Sequence, residues 1–230
     1  MIVAVHQPNY FPWLGYFRKI ATADAFVFLD DVQFSKNSYI NRVQIAGPAV
    51  PRWLTIPVSV HLGMRIDQVK SARADWRAAH LSGLHNTYRG AACFRAVWKD
   101  VEAIYAEADG ENLAAINQTL IRAVARHLGF TRQFHVSSSF DLGDVAGDAR
   151  LAVLVAAIDP NGTYLSGKGG ANYQDPAKFN KAGLSFFYSD FDHPVYSQGR
   201  EPFQPGLSIL DAAFHLGWPA TASLITSPGA

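Results

Sequence analysis

A strand–helix–strand pattern at the start of the chain constrains the fold more than any other feature of the sequence. Residues 2–5 form a short apolar run, mostly β-branched, that stops at a His-Gln-Pro turn and predicts a buried strand. Residues 12–20 begin with proline and place aromatic side chains at helical spacing, which predicts a helix with one buried face. Residues 25–31 contain a second apolar run that ends in two carboxylates. Such a βαβ unit predicts a parallel sheet that is covered on both faces.

The remaining chain interrupts this pattern in the middle and then extends it. Residues 34–60 consist of β-type segments separated by a Gly-Pro turn, which favours an antiparallel hairpin or edge strands. Residues 75–129 carry three apolar stripes at helical spacing, and Gly129 is well placed to end the last helix. Strand and helix patterns then alternate up to a final helix, and we expect a frayed tail after Trp218.

The prediction for the whole chain of 230 residues is a three-layer α/β fold with a mostly parallel, Rossmann-like sheet. A helical middle insertion and a β-hairpin or edge-strand extension complete the fold. The chain is predicted to be a single domain, residues 1–230, in which residues 75–130 form a mostly helical subdomain. The strands that contain Val3, Phe28 and Leu165 should lie parallel in one sheet, because all three apolar runs end in polar groups.

The composition argues against several classes of protein and of site. The formal net charge is +1 and both signs are scattered along the chain, which gives no reason to expect DNA binding or a polybasic membrane anchor. Cys93 is the one cysteine, so an internal disulfide and a Cys-rich zinc site are excluded, and no metal site is predicted. The N-terminus lacks the basic region of an export signal, and no run approaches the roughly 20 apolar residues of a membrane span. We expect a cytoplasmic protein without a transmembrane segment.

Polar chemistry follows three of the predicted strands. His6 and Gln7 end the first, Asp30 and Asp31 end the second, and a glycine-rich loop over residues 166–170 ends a later one. Ligands of open α/β sheets bind beyond the carboxyl ends of the strands. If these strands are parallel neighbours, one crevice collects an imidazole, an amide, two carboxylates and a glycine-rich set of backbone N–H groups.

His6 is the candidate general base, because the pKa of histidine near 6.5 lets the imidazole take a proton at neutral pH. The alternative is a histidine that only caps a turn. Asp30 and Asp31 could orient the imidazole, bind a ligand hydroxyl or hold a divalent cation. Helix capping or a turn after the strand would also explain two adjacent carboxylates.

The loop "YLSGKGG" is the strongest candidate for an anion site. Its glycines let the backbone approach a phosphate closely, and Lys168 adds a positive charge. The spacing of a Walker A loop is absent, and a surface loop would have the same composition. Arg42, beside Asn41, could bind phosphate or carboxylate, or it could be an ordinary exposed arginine of an edge strand. The stretch 190–211 is rich in titratable and hydrogen-bonding side chains and could form one wall of the crevice.

The sequence resembles the WbqC-like protein family, which occurs among bacterial O-antigen and polysaccharide biosynthesis genes. The segments "HQPNYFPWLGYFRKI" and "DAFVFLDDVQFSKNSYINR" are similar to the family's N-terminal signature, and "WLTIPV" follows them. "TYLSGKGGANY" and "HPVYSQ", followed by "PFQPGLSILDAAFHLG", resemble its C-terminal signatures. The resemblance spans nearly the whole chain, although the helical middle matches only in its aromatic and leucine pattern.

The resemblance implies a transferase that moves an acyl or aminoacyl group, of glycyl type, to an amino sugar in surface-polysaccharide biosynthesis. The acceptor would be nucleotide-linked or lipid-linked, and the donor an aminoacyl-tRNA, a carrier protein or coenzyme A, with no resident cofactor. His6, Asp30 and Asp31 are the candidate catalytic residues. The candidate substrate-binding residues are Gln7, Asn9, Tyr10, Lys36, Asn41, Arg42, Ser166, Gly167, Lys168, His193, Tyr196 and Gln198.

Two other functions stay open at this point. A histidine after the first strand, then a helix and a strand ending in aspartate, resembles nucleotidyl-transfer enzymes of the HIGH-motif type. However, "HQPN" lacks the second histidine and the glycine of that motif. The other alternative is a non-catalytic sugar-binding or scaffold protein whose aromatic side chains stack on carbohydrate.

Overall fold

The computed structural model describes residues 1–172 and 174–227, so Tyr173, at the end of the loop motif, lies outside the described residues. The strands, numbered in chain order, are β1 (Ile2–His6), β2 (Ala25–Phe28), β3 (Arg42–Ile45), β4 (Arg52–Thr55), β5 (Val58–Ser59), β6 (Lys70–Ser71), β7 (Gln133–Val136), β8 (Thr163–Ser166) and β9 (Ser185–Tyr188). The helices are α1 (Leu14–Thr22), α2 (Trp76–Tyr88), α3 (Phe94–Glu107), α4 (Leu113–His127), α5 (Gly147–Ile158), α6 (Pro176–Lys181) and α7 (Ile209–Thr226).

Five strands form one parallel sheet in the order β7-β2-β1-β8-β9. The strands that contain Val3, Phe28 and Leu165 are therefore parallel neighbours, and the predicted α/β fold is confirmed. Two small antiparallel pairs, β3–β4 and β5–β6, lie outside this sheet. The first of them is the hairpin expected between residues 34 and 60.

The two faces of the sheet alternate along each strand and belong to different cores. Ala4 and Phe26 point into a large core that also contains the buried faces of α1, α2, α3, α4 and α7. Val3 and Val27 point into a smaller core formed with α5 and α6. The continuous apolar runs of β1 and β2 are thus explained by burial on both sides of the sheet.

The strand order places a topological switch point between β1 and β8. The crossover through α1 leads from β1 to β2 on one side, whereas α5 leads to β8 and α6 leads on to β9 on the other side. In sheets of this kind the loops diverge at the switch point and leave a crevice beyond the carboxyl ends of the two strands. His6 ends β1 and Ser166 ends β8 at this crevice.

The helical middle section contains the three helices that its apolar stripes predict. The buried side chains of α2, α3 and α4 belong to the same core as Phe26 and Phe28 of the sheet. Gly129 follows α4 with a φ of 77°, a left-handed conformation that glycine adopts without strain. Its N–H donates to the carbonyl of Arg126 at 2.9 Å, which helps to satisfy the end of the helix.

The expectation of a frayed tail after Trp218 is wrong. Helical structure continues to Thr226 beyond a kink at Gly217, where φ is 78°, and Pro219 follows the kink. Ile225 near the end of α7 is fully buried, so packing holds a segment that local sequence signals would end. Across residues 1–172 and 174–227, none of the helices combines the length and the apolar character that a bilayer span requires.

Candidate functional site

A cleft of about 790 Å³ opens at the carboxyl edge of the central sheet, above the switch point. It is bounded by the end of β1, the start of α1, the start of α5, the loop after β8 and the segment after β9. Its polar lining includes His6, Gln7, Lys19, Arg150, Ser166 and Lys168. The expected meeting of the β1 and β8 ends at one crevice is therefore observed.

Gly15 in the first turn of α1 allows two aromatic rings that line the cleft to pack closely against the helix. A Cβ atom at Gly15 would lie 2.8 Å from the ring of Phe191 and 3.0 Å from the indole nitrogen of Trp13. Phe191 follows β9 and lines the cleft together with Trp13. A glycine in a helix is unfavourable on its own, so its role here is the close approach of the two rings.

His6 lies in the cleft as a neutral imidazole. Its Nδ1 is 3.1 Å from the main-chain oxygen of Gln7, so Nδ1 carries the hydrogen and Nε2 keeps its lone pair. The ring packs edge-on against Tyr16 with centroids 4.6 Å apart. Burial, and then the charge of Lys19, lower the pKa of His6 to about 3, against a smaller opposing effect of the Gln7 hydrogen bond. His6 is therefore uncharged at neutral pH.

Lys19, on α1, is a cleft residue that the sequence analysis missed. Its side chain is only 5% exposed, and its Nζ donates to the main-chain oxygen of Val5 at 3.0 Å. Burial lowers the pKa of Lys19 to about 7. A signal was present in the sequence, because Lys19 lies three residues after Tyr16 on the apolar face of the predicted helix.

Three other cations at the cleft have carboxylate partners. The Nζ of Lys178 on α6 is 3.1 Å from Asp148 on α5. Arg150, also on α5, pairs with Asp31 after β2. Lys168 in the loop after β8 pairs at 2.7 Å with Asp192, and both of these side chains are mostly exposed. The lining of the cleft thus includes these three cations and the carboxylate of Asp148, and each of the three cations already has a carboxylate partner.

The glycine-rich segment forms a 3₁₀ turn over Lys168–Asn172 at the rim of the cleft. Ser166 and Gln174 hydrogen-bond across its base. A methyl group at Gly170 would overlap both of these side chains, whereas one at Gly167 or Gly169 would meet no atom within 4 Å. The backbone at the two open glycines is thus accessible, as an anion site requires. Ser166, Gly167 and Lys168 all line the cleft as expected.

Asp30 and Asp31 do not join this cleft, which corrects the expectation of a single crevice. Asp30 is buried and accepts hydrogen bonds from the main chain and hydroxyl of Ser138 at 3.0 and 3.1 Å. Asp31 accepts from Ser137 at 2.5 Å and lines a second cleft of about 400 Å³. In the described residues neither carboxylate hydrogen-bonds His6, because the turn after β7 occupies both. Burial raises the pKa of Asp30.

The remaining N-terminal candidates lie away from the cleft. Asn9 and Tyr10 are buried, and the Tyr10 hydroxyl contacts Nδ1 of His80 at 2.8 Å and the hydroxyl of Tyr105 at 2.5 Å. Tyr10 is therefore a core residue and does not line the cleft. Lys36 is exposed in a turn and does not line the cleft.

Asn41 and Arg42 hold the hairpin together. The Asn41 side-chain amide donates to the main-chain oxygen of Ile56 at 3.0 Å. The Arg42 guanidinium lies 4.0 Å from the centre of the Trp53 ring, on the opposite strand of the hairpin. Neither residue lines the cleft.

The late candidates surround the start of α7 instead of lining the cleft. Tyr196 donates to Asp211 at 2.7 Å, and Gln198 donates to the same carboxylate at 3.1 Å. His193 accepts from the main-chain N–H of Gly206 at 3.0 Å, and burial lowers its pKa. These contacts fix a buried carboxylate at a helix N-terminus, where the helix dipole favours it. This segment borders the cleft only through Phe191 and Ser189.

The arrangement can bind an anion and exchange a proton. Cationic side chains and open glycine amides suit phosphate or carboxylate groups. The lone pair of His6 and the amine of Lys19 can both accept a proton. Within the described part of the chain, no three His, Cys, Asp or Glu side chains lie close enough to share a metal ion.

Comparison with known proteins places this sequence in a family. The family model described as the WbqC-like protein family matches residues 7–223. The uncharacterized protein Rv1507c of Mycobacterium tuberculosis is 32% identical over 220 residues, which cover 94% of each chain. No solved structure matched significantly.

Proposed function

The chain belongs to the WbqC-like protein family, and from that premise we propose that it is a transferase of bacterial surface-polysaccharide (O-antigen) biosynthesis. It moves an acyl or aminoacyl group, such as glycyl, to the amine of a nucleotide-linked or lipid-linked amino sugar. The donor is an aminoacyl-tRNA, a carrier protein or coenzyme A. The reaction takes place in the cleft at the switch point, with His6 beside the reacting groups.

One observation carries this proposal: His6 and Lys19, two groups that can accept a proton, lie in a cleft whose lining also holds three ion-paired cations. Amide formation at a sugar amine requires a proton acceptor, because the protonated amine is not a nucleophile. The positive charge serves the phosphates of a nucleotide-linked or lipid-linked sugar. It also stabilises the oxyanion that forms when the amine attacks the acyl carbonyl.

The steps balance with the groups at hand. A base in the cleft removes one proton from the sugar ammonium, and the free amine attacks the acyl carbon. A carbon–nitrogen bond forms, and the bond from the acyl carbon to the donor oxygen or sulfur breaks. The second proton lost from nitrogen goes to that leaving oxygen or sulfur. His6 is the base that the sequence suggests, and Lys19, which also lines the cleft, is a second candidate.

Turnover with defined substrates tests the proposal. UDP-glucosamine, which has a free amine, is incubated with glycyl-tRNA, with glycyl carrier protein and with acetyl-coenzyme A, and the acylated sugar is measured by mass spectrometry. Wild type should form product with at least one donor. His6→Gln should lose roughly 10²-fold in rate, because it removes a positioned proton acceptor or contact. Lys99→Gln, on the exposed surface of α3 and outside the cleft, is the control and should keep full activity.

The other two functions are distinct outcomes of the same assay. Pyrophosphate release from ATP in the presence of the sugar would favour nucleotidyl transfer. Binding of UDP-glucosamine by calorimetry without turnover of any donor would favour a sugar-binding module. Either result would replace the transferase proposal.

A further inference from the structure

Lys19 differs from the other cations of the cleft in having no carboxylate partner in the described parts of the chain. Lys168, Lys178 and Arg150 each form an ion pair. Lys19 donates a hydrogen bond to the main-chain oxygen of Val5, which is a neutral acceptor. The amine is thus held at a fixed position at the base of the cleft while its charge is left uncompensated.

A positive charge on Lys19 does not stabilise the fold. The neighbours of Lys19 on α1, Tyr16 and Ile20, are fully buried in the main core. An unpaired charge among such side chains is strongly unfavourable, and an apolar side chain of similar length would pack there without that cost. Lys19 is also one of the residues that line the cleft, next to His6.

We propose that the neutral amine of Lys19 accepts the proton that the sugar ammonium loses before acyl transfer, and that His6 holds the acceptor through Nε2. This inference rests on the transferase function proposed above and identifies the base of the same cleft. Lys19 is then the proton acceptor, whereas His6 is a hydrogen-bonding contact that stays neutral throughout.

The acid–base properties of the two groups support this division of roles. A general base works best when its pKa is close to the working pH. Burial brings the pKa of Lys19 to about 7, so a large fraction of the amine is neutral at physiological pH. The pKa of His6, lowered to about 3, makes its imidazole a weak base although its lone pair is free.

Burial alone lowers the pKa of Lys19, and the titratable groups around it are neutral or already bound to a partner. His6 on β1 is neutral, and Tyr16 on α1 has its pKa raised well above its usual value by burial. Across the cleft, Arg150 on α5, Lys168 after β8 and Lys178 on α6 are cations, and Asp148 on α5 is bound to Lys178. On α7, which packs on α1, the Asp211 carboxylate is bound by Tyr196 and Gln198.

The proton balance is complete without a further reagent. The neutral Lys19 amine takes one proton from the sugar ammonium and becomes an ammonium. The sugar amine attacks the acyl carbon, and its second proton leaves with the oxygen or sulfur of the donor. Lys19 returns its proton to solvent after the amide product dissociates.

The first test needs no knowledge of the donor. The protein is treated with trace acetic anhydride at a series of pH values, and the acetylation rate of each lysine is measured by peptide mass spectrometry. The rate for Lys19 should rise with a midpoint near pH 7 in the folded protein, whereas in the urea-unfolded protein the same lysine should show a midpoint of about 10. A midpoint above pH 9 for Lys19 in the folded protein would overturn the inference and leave the proposed function in place.

The second test uses turnover of UDP-glucosamine with the donor that supports wild-type activity. The wild-type turnover rate should decrease as the pH falls below about 7, because Lys19 becomes protonated. Lys19→Met should turn over about 10²-fold or more slowly than wild type, and its rate should no longer depend on pH in this range. Its affinity for UDP-glucosamine should stay within about threefold of wild type, since the substitution removes a base and not the ion-paired cations. Added ethylamine should rescue Lys19→Ala in proportion to the concentration of the neutral amine. Guanidine, which stays charged, should not rescue it.

Lys178→Met is the matched control, because it removes a cleft cation that has a carboxylate partner. It should weaken substrate binding while keeping the wild-type pH dependence. If the Lys19 variants keep that pH dependence, or if ethylamine fails to rescue, the inference is wrong and the transferase function survives. If wild type is inactive with every donor, both proposals fail.

Discussion

The Nζ atom of Lys19 lies 3.0 Å from the main-chain oxygen of Val5, so a helix cation is tied to the strand residue that precedes His6. This contact places the two proton-accepting groups of the cleft at the end of one strand. Burial lowers the pKa of both groups, and the charge of Lys19 lowers the pKa of His6 further. Their protonation therefore affects both chemistry and stability.

Acid should destabilise the wild-type protein through His6. The pKa of His6 is about 3 in the folded state and about 6.5 in the unfolded state, so the unfolded state binds more protons between these values. The free energy of unfolding should therefore fall as pH decreases from 6.5 to 3, by up to ~1.4 kcal/mol per pH unit from this group. Urea denaturation of wild type and His6→Gln across this range measures it. The free energy of unfolding of wild type should decrease relative to that of His6→Gln as the pH falls. An equal pH dependence in the two proteins would contradict the prediction.

Alkaline pH should stabilise the wild type relative to Lys19→Met. The pKa of Lys19 is about 7 in the folded state and about 10.5 in the unfolded state, so the unfolded state again binds more protons between these values. At pH 7 the variant should be more stable by about 1–4 kcal/mol, because it replaces a buried charge by an apolar side chain. This advantage should shrink as pH rises towards 10.5. Lys99→Met, on an exposed helix surface, supplies the control curve, and a pH-independent difference for Lys19→Met would disprove the lowered pKa.

Lys168→Ala should weaken binding of a phosphate-bearing ligand such as UDP-glucosamine by about tenfold at low salt, near the lower end for a charged hydrogen bond. The effect should be small at high salt, because Lys168 is 63% exposed and its charge is screened. Asp192→Ala is the matched control, since it frees the Lys168 ammonium and should leave the affinity equal or tighter. Calorimetric titration at two salt concentrations distinguishes these results. Equal affinities of Lys168→Ala and wild type would make the loop a structural turn.

Gly170→Ala should lower stability and ligand affinity, whereas Gly169→Ala should leave both nearly unchanged. A methyl group at Gly170 overlaps Ser166 and Gln174 at the base of the turn, and one at Gly169 meets no atom within 4 Å. Overpacking of this kind typically costs about 1–3 kcal/mol. Thermal unfolding and UDP-glucosamine titration of the two variants provide the comparison. Equal stability and equal ligand affinity of the two variants would show that the turn rearranges to accommodate the added methyl group.

Local patterns in the sequence determined much of the architecture. Apolar runs covered on both faces identify parallel strands, so the strands around Val3, Phe28 and Leu165 were predictable. Stripes at helical spacing identified the helices of the middle section, because burial of one helix face requires that spacing. The same patterns missed the last turns of α7, since Gly217 and Pro219 look like an end while Ile225 is held by packing.

The candidate site was only partly visible in the sequence. His6 and the loop from Ser166 to Gly170 were recognisable because each follows an apolar strand directly. Asp30 and Asp31 carried the same signal, yet Ser137 and Ser138, more than a hundred residues later, bind them outside the cleft. No residue close to Asp30 and Asp31 in the sequence indicates that Ser137 and Ser138 bind them.

What the sequence by itself determined is the set of strands and helices and the polar residues that follow the strands, because these depend on local burial patterns. The tertiary structure alone decided the order β7-β2-β1-β8-β9, and with it the switch point where His6 and Ser166 meet. It also decided that Lys19 is buried without a carboxylate partner in the described chain. The electrostatic environment of a side chain is the sum of contacts from distant segments, and those contacts exist only after the chain has folded.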